Sequence, residues 1–255
     1  MIIKPYRFAG AGGFDGFGNA SRDFDGTDDY LTMGDVLDET DGGPLSGSST
    51  QFTIAAWVKA TTSDAAGVIV GKFRDSSGNR QILFYFLPSG VVRFGWWAGS
   101  SVFQIEETTA TPINASTWTH VAVEFDGTQA DPDDCVTIYI DGASATLDAT
   151  PITGGTPTST IVNRNTALQI GAALNSGGTD TFRVDGLIAD VRIYDALIGS
   201  TAIDGLSNGT DYQTNLVGWW LIDTDDLTDH STNSNNASEG ASPSATTYST
   251  DGPAD

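Results

Sequence analysis

The chain is 255 residues long and sets 33 Asp plus Glu against 11 Lys plus Arg, a formal charge of -22, with one cysteine. A surface this acidic is repelled by phosphate and by anionic lipid, which excludes nucleic acid and membrane as partners. Cys135 alone cannot build a disulfide framework, no Cys/His grouping has zinc spacing, and the longest apolar run, residues 82–87, is far too short to span a bilayer.

Residues 1–20 are rich in Gly and aromatics and show no period. Lys4, Pro5 and Arg7 are followed by Gly and Asp instead of an apolar stretch, so this is not a secretory signal, and an N-terminal arm, packed on the domain or docked on a partner, is expected. From Phe52 onward the period is two. The runs Phe52–Lys59, Gly67–Phe73, Gln81–Leu87, Val91–Trp97, Ser101–Glu106, Trp118–Phe125, Val136–Asp141, Ala167–Gly171, Leu187–Tyr194 and Leu216–Ile222 are each bounded by turn formers. Short strands at near-regular spacing predict an all-β fold, a two-sheet antiparallel β-sandwich. The one helical candidate is Gly199–Leu206, with Ser200 as a cap and Asn208-Gly209 as its stop. Residues 223–255 read as loop or tail.

The acids carry a second message, because 28 of the 33 are Asp and only 5 are Glu. Asp competes for backbone hydrogen bonds and favours turns, and eight Asp residues (15, 25, 41, 126, 141, 185, 204 and 251) stand directly before Gly. Much of the charge is therefore turn chemistry.

Four stretches, in order, carry a family resemblance: residues 24–31 (FDGTDDYL), 52–59 (FTIAAWVK), 118–127 (WTHVAVEFDG) and 184–194 (VDGLIADVRIY), with 136–142 (VTIYIDG) between the last two. Together they resemble the laminin-G-like, concanavalin A-like family of jelly-roll sandwiches over about residues 22–206. A fifth stretch, residues 216–223 followed by 229–238, is similar to the strand and loop that often open such domains. Here it closes the chain, which implies that the C-terminal strand completes the sandwich as in a circular permutation. The resulting division is an arm at 1–20, a sandwich at 21–240 and a polar tail at 241–255.

Strand alternation assigns faces. Ile82, Phe84, Phe86, Val92, Phe94, Trp96, Val121, Val123, Phe125, Val136, Ile138 and Ile140 point inward. If the strands are neighbours, Tyr85, Arg93, Trp97, His120, Glu124 and Tyr139 share one outer surface, and rings, a guanidinium and a carboxylate together suit a sugar. The alternative is an ordinary half-covered face, and His120 lies in a stretch the family shares widely.

The resemblance to pentraxins implies calcium at Asp75 and Asn79, but where pentraxins supply partner acids this chain has only Asn175, so a two-calcium, phosphocholine-type site is not expected. The alternative calcium site is the loop with Asp229, Asn233 and Asn235, whose oxygens are hard ligands. One structural calcium is the expected cofactor. The paired Glu of the family's glucanases is missing. Glu106 and Glu107 are adjacent and face opposite sides, Lys occurs only at 4, 59 and 72, and Asp133-Asp134 beside Cys135 oppose a reactive thiolate. The expected protein is non-catalytic. By elimination the setting is the surface of a virus particle, a capsid-decorating or tail-associated protein of a bacteriophage, bound to other virion proteins through residues 1–20 and with glycan adhesion. The alternatives are an extracellular, bacterial lectin-like module and a polysaccharide-active enzyme with an unrecognised site.

Overall fold

The computed structural model describes residues 20–61, 66–75, 78–175, 180–222, 226–240 and 246–253. The arm expected at residues 1–20 lies, except for Ala20, outside the described residues. In chain order the strands are β1 Ser21–Asp25, β2 Leu31–Gly34, β3 Gln51–Ala60, β4 Gly67–Asp75, β5 Arg80–Phe86, β6 Val92–Trp97, β7 Phe103–Glu107, β8 Thr119–Asp126 and β9 Val136–Ile140. They continue with β10 Ala143–Ser144, β11 Ile152–Gly154, β12 Leu168–Ile170, β13 Ala173–Asn175, β14 Asp180–Thr181, β15 Asp185–Tyr194, β16 Leu216–Trp220, β17 Ser238–Glu239 and β18 Thr247–Ser249. One helix, α1 Gly199–Ser207, separates β15 from β16.

The first sheet runs β10-β9-β8-β3-β15-β1-β18, and β16 also pairs with β15. Since β3 takes one edge of β15, β1 and β16 share the other, β1 along Gly186–Ile188 and β16 along Val191–Tyr194. The backbone breaks register between Ala189 and Arg192, where Asp190 has φ +50° and its N–H turns to the Leu221 carbonyl. This bulge lets one long strand accept two shorter partners. The second sheet runs β11-β7-β6-β5-β4-β12-β2-β17, and β13, in a hairpin with β14, lies parallel to the end of β4. β16 thus joins the first sheet beside β15, as the resemblance of residues 216–223 implies.

The sandwich does not end near residue 240. β18 pairs antiparallel with β1, the Asp251 carboxylate accepts the Trp118 indole N–H at 2.9 Å and forms an ion pair with Lys59, and Ser21 donates to the Asp251 carbonyl at 2.7 Å. The polar composition reads as tail because these anchors are hydrogen bonds, invisible to hydrophobic periodicity.

Alternation places every residue expected to point inward in one core, where Ile140 is partly buried and the others buried. Aromatic rings bridge the sheets: Phe52 and Phe125 of the first stack at 5.3 Å, and Phe94 and Trp96 of the second approach them at 6.0 and 5.3 Å. Asp141-Gly142 is a two-residue hairpin turn with both residues at positive φ (+48° and +83°). A Cβ on Gly142 would lie 2.8 Å from the Asp204 Cα of α1, so this turn needs Gly both for its backbone and for helix contact.

One buried cation fixes the loop after β2. Lys72 is fully buried, and its ammonium donates to Asp35 Oδ1, the Val36 carbonyl and Asp38 Oδ2, each at 2.8 Å. Burial alone would raise the pKa of Asp38, but hydrogen bonds from Lys72 and Thr40 outweigh it and hold the carboxyl below the usual range. A depressed folded-state pKa adds stability that is complete above the unfolded value near pH 4 and is lost as pH falls below it through the lower folded-state pKa. Lys72→Met, which strands the buried Asp38 carboxylate, is expected to cost about 3–5 kcal/mol in urea unfolding at pH 7. The penalty should shrink at acid pH, where Asp38 is protonated.

Candidate functional site

The six residues expected to share a surface separate onto the two outer faces. Tyr85, Arg93 and Trp97 stand on β5 and β6 of the second sheet, whereas His120, Glu124 and Tyr139 stand on β8 and β9 of the first. The expectation needed these strands to be neighbours. They are not all neighbours, because a sandwich sends successive strands to either layer.

The outer face of the first sheet is sealed. Ile203 and Leu206 of α1 pack on Ala55, Ala122, Tyr139 and Tyr194, the two alanines leaving room for the helix. Glu124 accepts the Tyr139 hydroxyl at 2.8 Å and the Gly199 N–H at 2.7 Å, while Thr53 Oγ1 accepts the Ile198 N–H at 3.2 Å. The helix is therefore capped by a carboxylate from the sheet, not by Ser200, and the N-cap position is Ile198 without a cap bond of its own. His120 is 2 % exposed and meets the Trp57 ring edge-on at 5.2 Å. Burial, and secondarily the charge of Arg192, push its pKa down to about 3, so it is neutral across the physiological range. Beside it, Arg192 donates to Asp190 at 2.9 Å and Asp211 at 2.7 Å and lies 4.5 Å from the Trp219 ring, whose indole N–H bonds to Asp190 at 2.7 Å. These groups are bound to one another and hold the bulge.

The outer face of the second sheet is more open. Arg93 and Glu107 are register partners on β6 and β7, joined by a 2.5 Å hydrogen bond, with side chains 20 % and 24 % exposed. The guanidinium also lies 6.0 Å from the Tyr85 ring. Burial raises the Tyr85 pKa, with Arg93 opposing; on Arg93 burial works downward, but Tyr85 and Glu107 leave its pKa raised. Trp97 is packed between Phe73, edge-on at 5.0 Å, and Phe103, stacked at 5.8 Å. Its indole N–H takes no hydrogen bond among the described residues. Glu107 and Phe103 complete this surface, and the alternation of β7 against β6 was the signal that could have found them.

In both loops expected to bind calcium the acids are engaged by other groups of the protein. Asp75 is ion-paired with Arg80, a cation already in the ligand position, and the Asn79 carbonyl accepts the Arg74 N–H at 2.9 Å. The backbone register does set Asn175 opposite Asp75. In the other loop Asp229 Oδ1 accepts the backbone N–H groups of Trp219 and Ser231 and Oδ2 that of Asn235, while the Asn235 carbonyl receives the Trp220 indole. Hydrogen bonding builds this loop. Asn233 and Asn235 line a polar pocket of about 320 Å³ with Asp41 and Asp195 at one end of the sandwich.

The five Glu form no catalytic pair. Glu106 points inward and bonds Gln104, Glu107 faces outward to Arg93, Glu124 caps α1, Glu239 pairs with Arg22, and Glu39 lies on the loop after β2. Cys135 is buried, which, with the neighbouring acids, raises its thiol pKa.

A sandwich of this topology is the laminin-G-like form of the jelly roll. The chain belongs to the concanavalin A-like lectin/glucanases superfamily, whose family model matches residues 25–204. Among solved structures it is similar to the heptameric SAP-like pentraxin of Limulus polyphemus, at 16% identity and TM-score 0.56, over 88% of this chain and 95% of that one. It is also similar to a Bacteroides ovatus protein provisionally described as carbohydrate-binding, at 13% identity and TM-score 0.56, over 90% of this chain and 59% of that one. No curated protein matches the sequence. Among the described residues no helix is long and apolar enough to cross a membrane.

Glu124→Ala removes two hydrogen bonds to a buried carboxylate and is expected to cost about 2–4 kcal/mol, seen as a lower denaturation midpoint and faster amide exchange in α1. The His120 ring resonances are expected to stay constant from pH 8 to 5, as an NMR titration would show, because protonation waits until about pH 3.

Proposed function

We propose that the protein is a non-catalytic, lectin-like carbohydrate-binding module whose glycan lies on the outer face of the second sheet, over Tyr85, Arg93, Trp97, Phe103 and Glu107. The observation that carries this reading is the partly exposed Arg93–Glu107 pair, flanked by the buried rings of Tyr85 and Trp97 and the partly exposed ring of Phe103. A guanidinium donates to sugar hydroxyl oxygens, a carboxylate accepts from sugar O–H groups, and rings pack on C–H faces. On the first sheet Glu124 and Tyr139 are engaged at α1, and His120 and Arg192 are buried against Trp57, Asp190 and Asp211. Family membership and the similarity to a protein provisionally described as carbohydrate-binding support the same reading, as does the dispersal of the Glu residues, which favours binding over hydrolysis.

The virion-surface setting has no such support. It depends on residues 1–19, outside the described structure, and on elimination, and neither similar structure named above is a virus protein. An extracellular role suits a glycan ligand better.

The test is a glycan array followed by calorimetric titration of the best ligand. Arg93→Ala is expected to weaken binding roughly tenfold or more, about 1.4 kcal/mol, and Phe103→Ala to weaken it further, with circular dichroism unchanged. Asn233→Ala, in the rim pocket, should bind as the parent does. Loss of binding in Asn233→Ala with retention in Arg93→Ala would move the site to that pocket, and silence across a broad array would overturn the function.

A further inference from the structure

The turn between β1 and β2 carries three carboxylates that the glycan reading does not use. Asp25, Asp28 and Asp29 each offer an oxygen, and these atoms lie within 4.8 Å of one another. Such crowding is common on exposed acidic turns, but Asp29 is not exposed. It is 4 % accessible, and its Oδ1 receives no hydrogen bond among the described residues. Its Oδ2 accepts the Asp25 N–H at 3.1 Å, which draws the carboxylate into the turn and toward the other two. Asp25 uses Oδ1 to accept the N–H groups of Thr27 and Asp28, at 2.7 and 3.2 Å. The turn is thus folded around its own acids, and one of them, Asp29, is buried with an oxygen that receives no hydrogen bond among the described residues.

We propose that this turn is a divalent-cation site, with Asp25, Asp28 and Asp29 as ligands and calcium as the preferred ion. Leaving a buried carboxylate oxygen without a donor beside two further acids is costly, and a cation removes that cost directly. Ligand type favours calcium: it accepts irregular sets of carboxylate oxygens in a flexible geometry, whereas magnesium demands a near-ideal octahedron and gives up its waters reluctantly.

The position gives the site a structural consequence. The turn leaves β1 in the first sheet and enters β2 in the second, so an ion here ties the two layers at one end. Gly26 has φ +69°, and a Cβ there would meet Asp185 Cβ at 2.8 Å, which pins the turn against the start of β15.

The experiment is calcium titration of the chelator-stripped full chain, followed by calorimetry and thermal denaturation, with magnesium in parallel. Three carboxylates on a surface turn should give a Kd of about 10⁻⁴–10⁻³ M and a denaturation midpoint that rises with calcium and less with magnesium. Asp28→Asn should weaken calcium roughly tenfold while leaving the metal-free midpoint close to that of the parent. Asp29→Asn retains an acceptor for the Asp25 N–H and should fold, with the calcium response lost. Asp75→Asn should respond as the parent does. Absence of heat and of any midpoint shift at millimolar calcium would overturn the proposal, as would a parent-like response in Asp28→Asn and Asp29→Asn or a response lost only in Asp75→Asn.

Discussion

The two sheets are held face to face by an aromatic layer in which Phe52 and Phe125 of one meet Phe94 and Trp96 of the other. Each buried ring contributes roughly 1.5–3 kcal/mol relative to exposure, and the layer sets which side of every central strand points outward. Because strand alternation is strict, committing Phe94 and Trp96 to the core commits Arg93 and Trp97 to the outer face of the second sheet. Committing Val121, Val123 and Phe125 does the same for His120 and Glu124 on the first. The functional geometry follows from that single constraint.

The outer faces then diverge through what covers them. On the first sheet α1 descends onto Ala55 and Ala122, and Glu124 becomes its N-terminal anchor, an arrangement that uses the negative end of one side chain to satisfy the positive end of a helix. Polar groups there are buried in pairs, Arg192 with Asp190 and Asp211, Glu124 with Tyr139. On the second sheet no helix covers Arg93 and Glu107, so their pair stays half open to solvent. Solvent that reaches the pair screens it, and a ligand arriving from that side can exchange hydrogen bonds with it.

Most of the sandwich is legible in the sequence because its central strands alternate cleanly. All ten period-two runs, from Phe52–Lys59 to Leu216–Ile222, are strands, and their inward residues are core. The short edge strands β10, β11, β17 and β18 are not legible, since two or three polar residues have no period and are held by backbone bonds and by groups such as Asp251. The candidate site is only half legible. Tyr85, Arg93 and Trp97 are on one face as alternation requires, but joining them to His120, Glu124 and Tyr139 needed the strand order across two sheets, which no local pattern contains. The cap of α1 is missed for a related reason: Ser200 is the neighbour in sequence, whereas Glu124, 75 positions away, is the neighbour in space. Asp75 and Asp229 have the composition of ligands, yet Arg80 and three backbone N–H groups already engage them.

The acidity that marks the chain is therefore distributed over several tasks, closing turns as at Asp141, neutralising Lys72 and Arg192, and organising loops as at Asp229. What it leaves is one face with a partly exposed guanidinium, carboxylate and Phe103 ring beside the buried rings of Tyr85 and Trp97. The most direct test of that account is amide hydrogen exchange measured with and without a bound glycan. Protection should concentrate in β5, β6 and β7, with β8, β9 and α1 unchanged; protection centred on β8, β9 and α1 instead would contradict it.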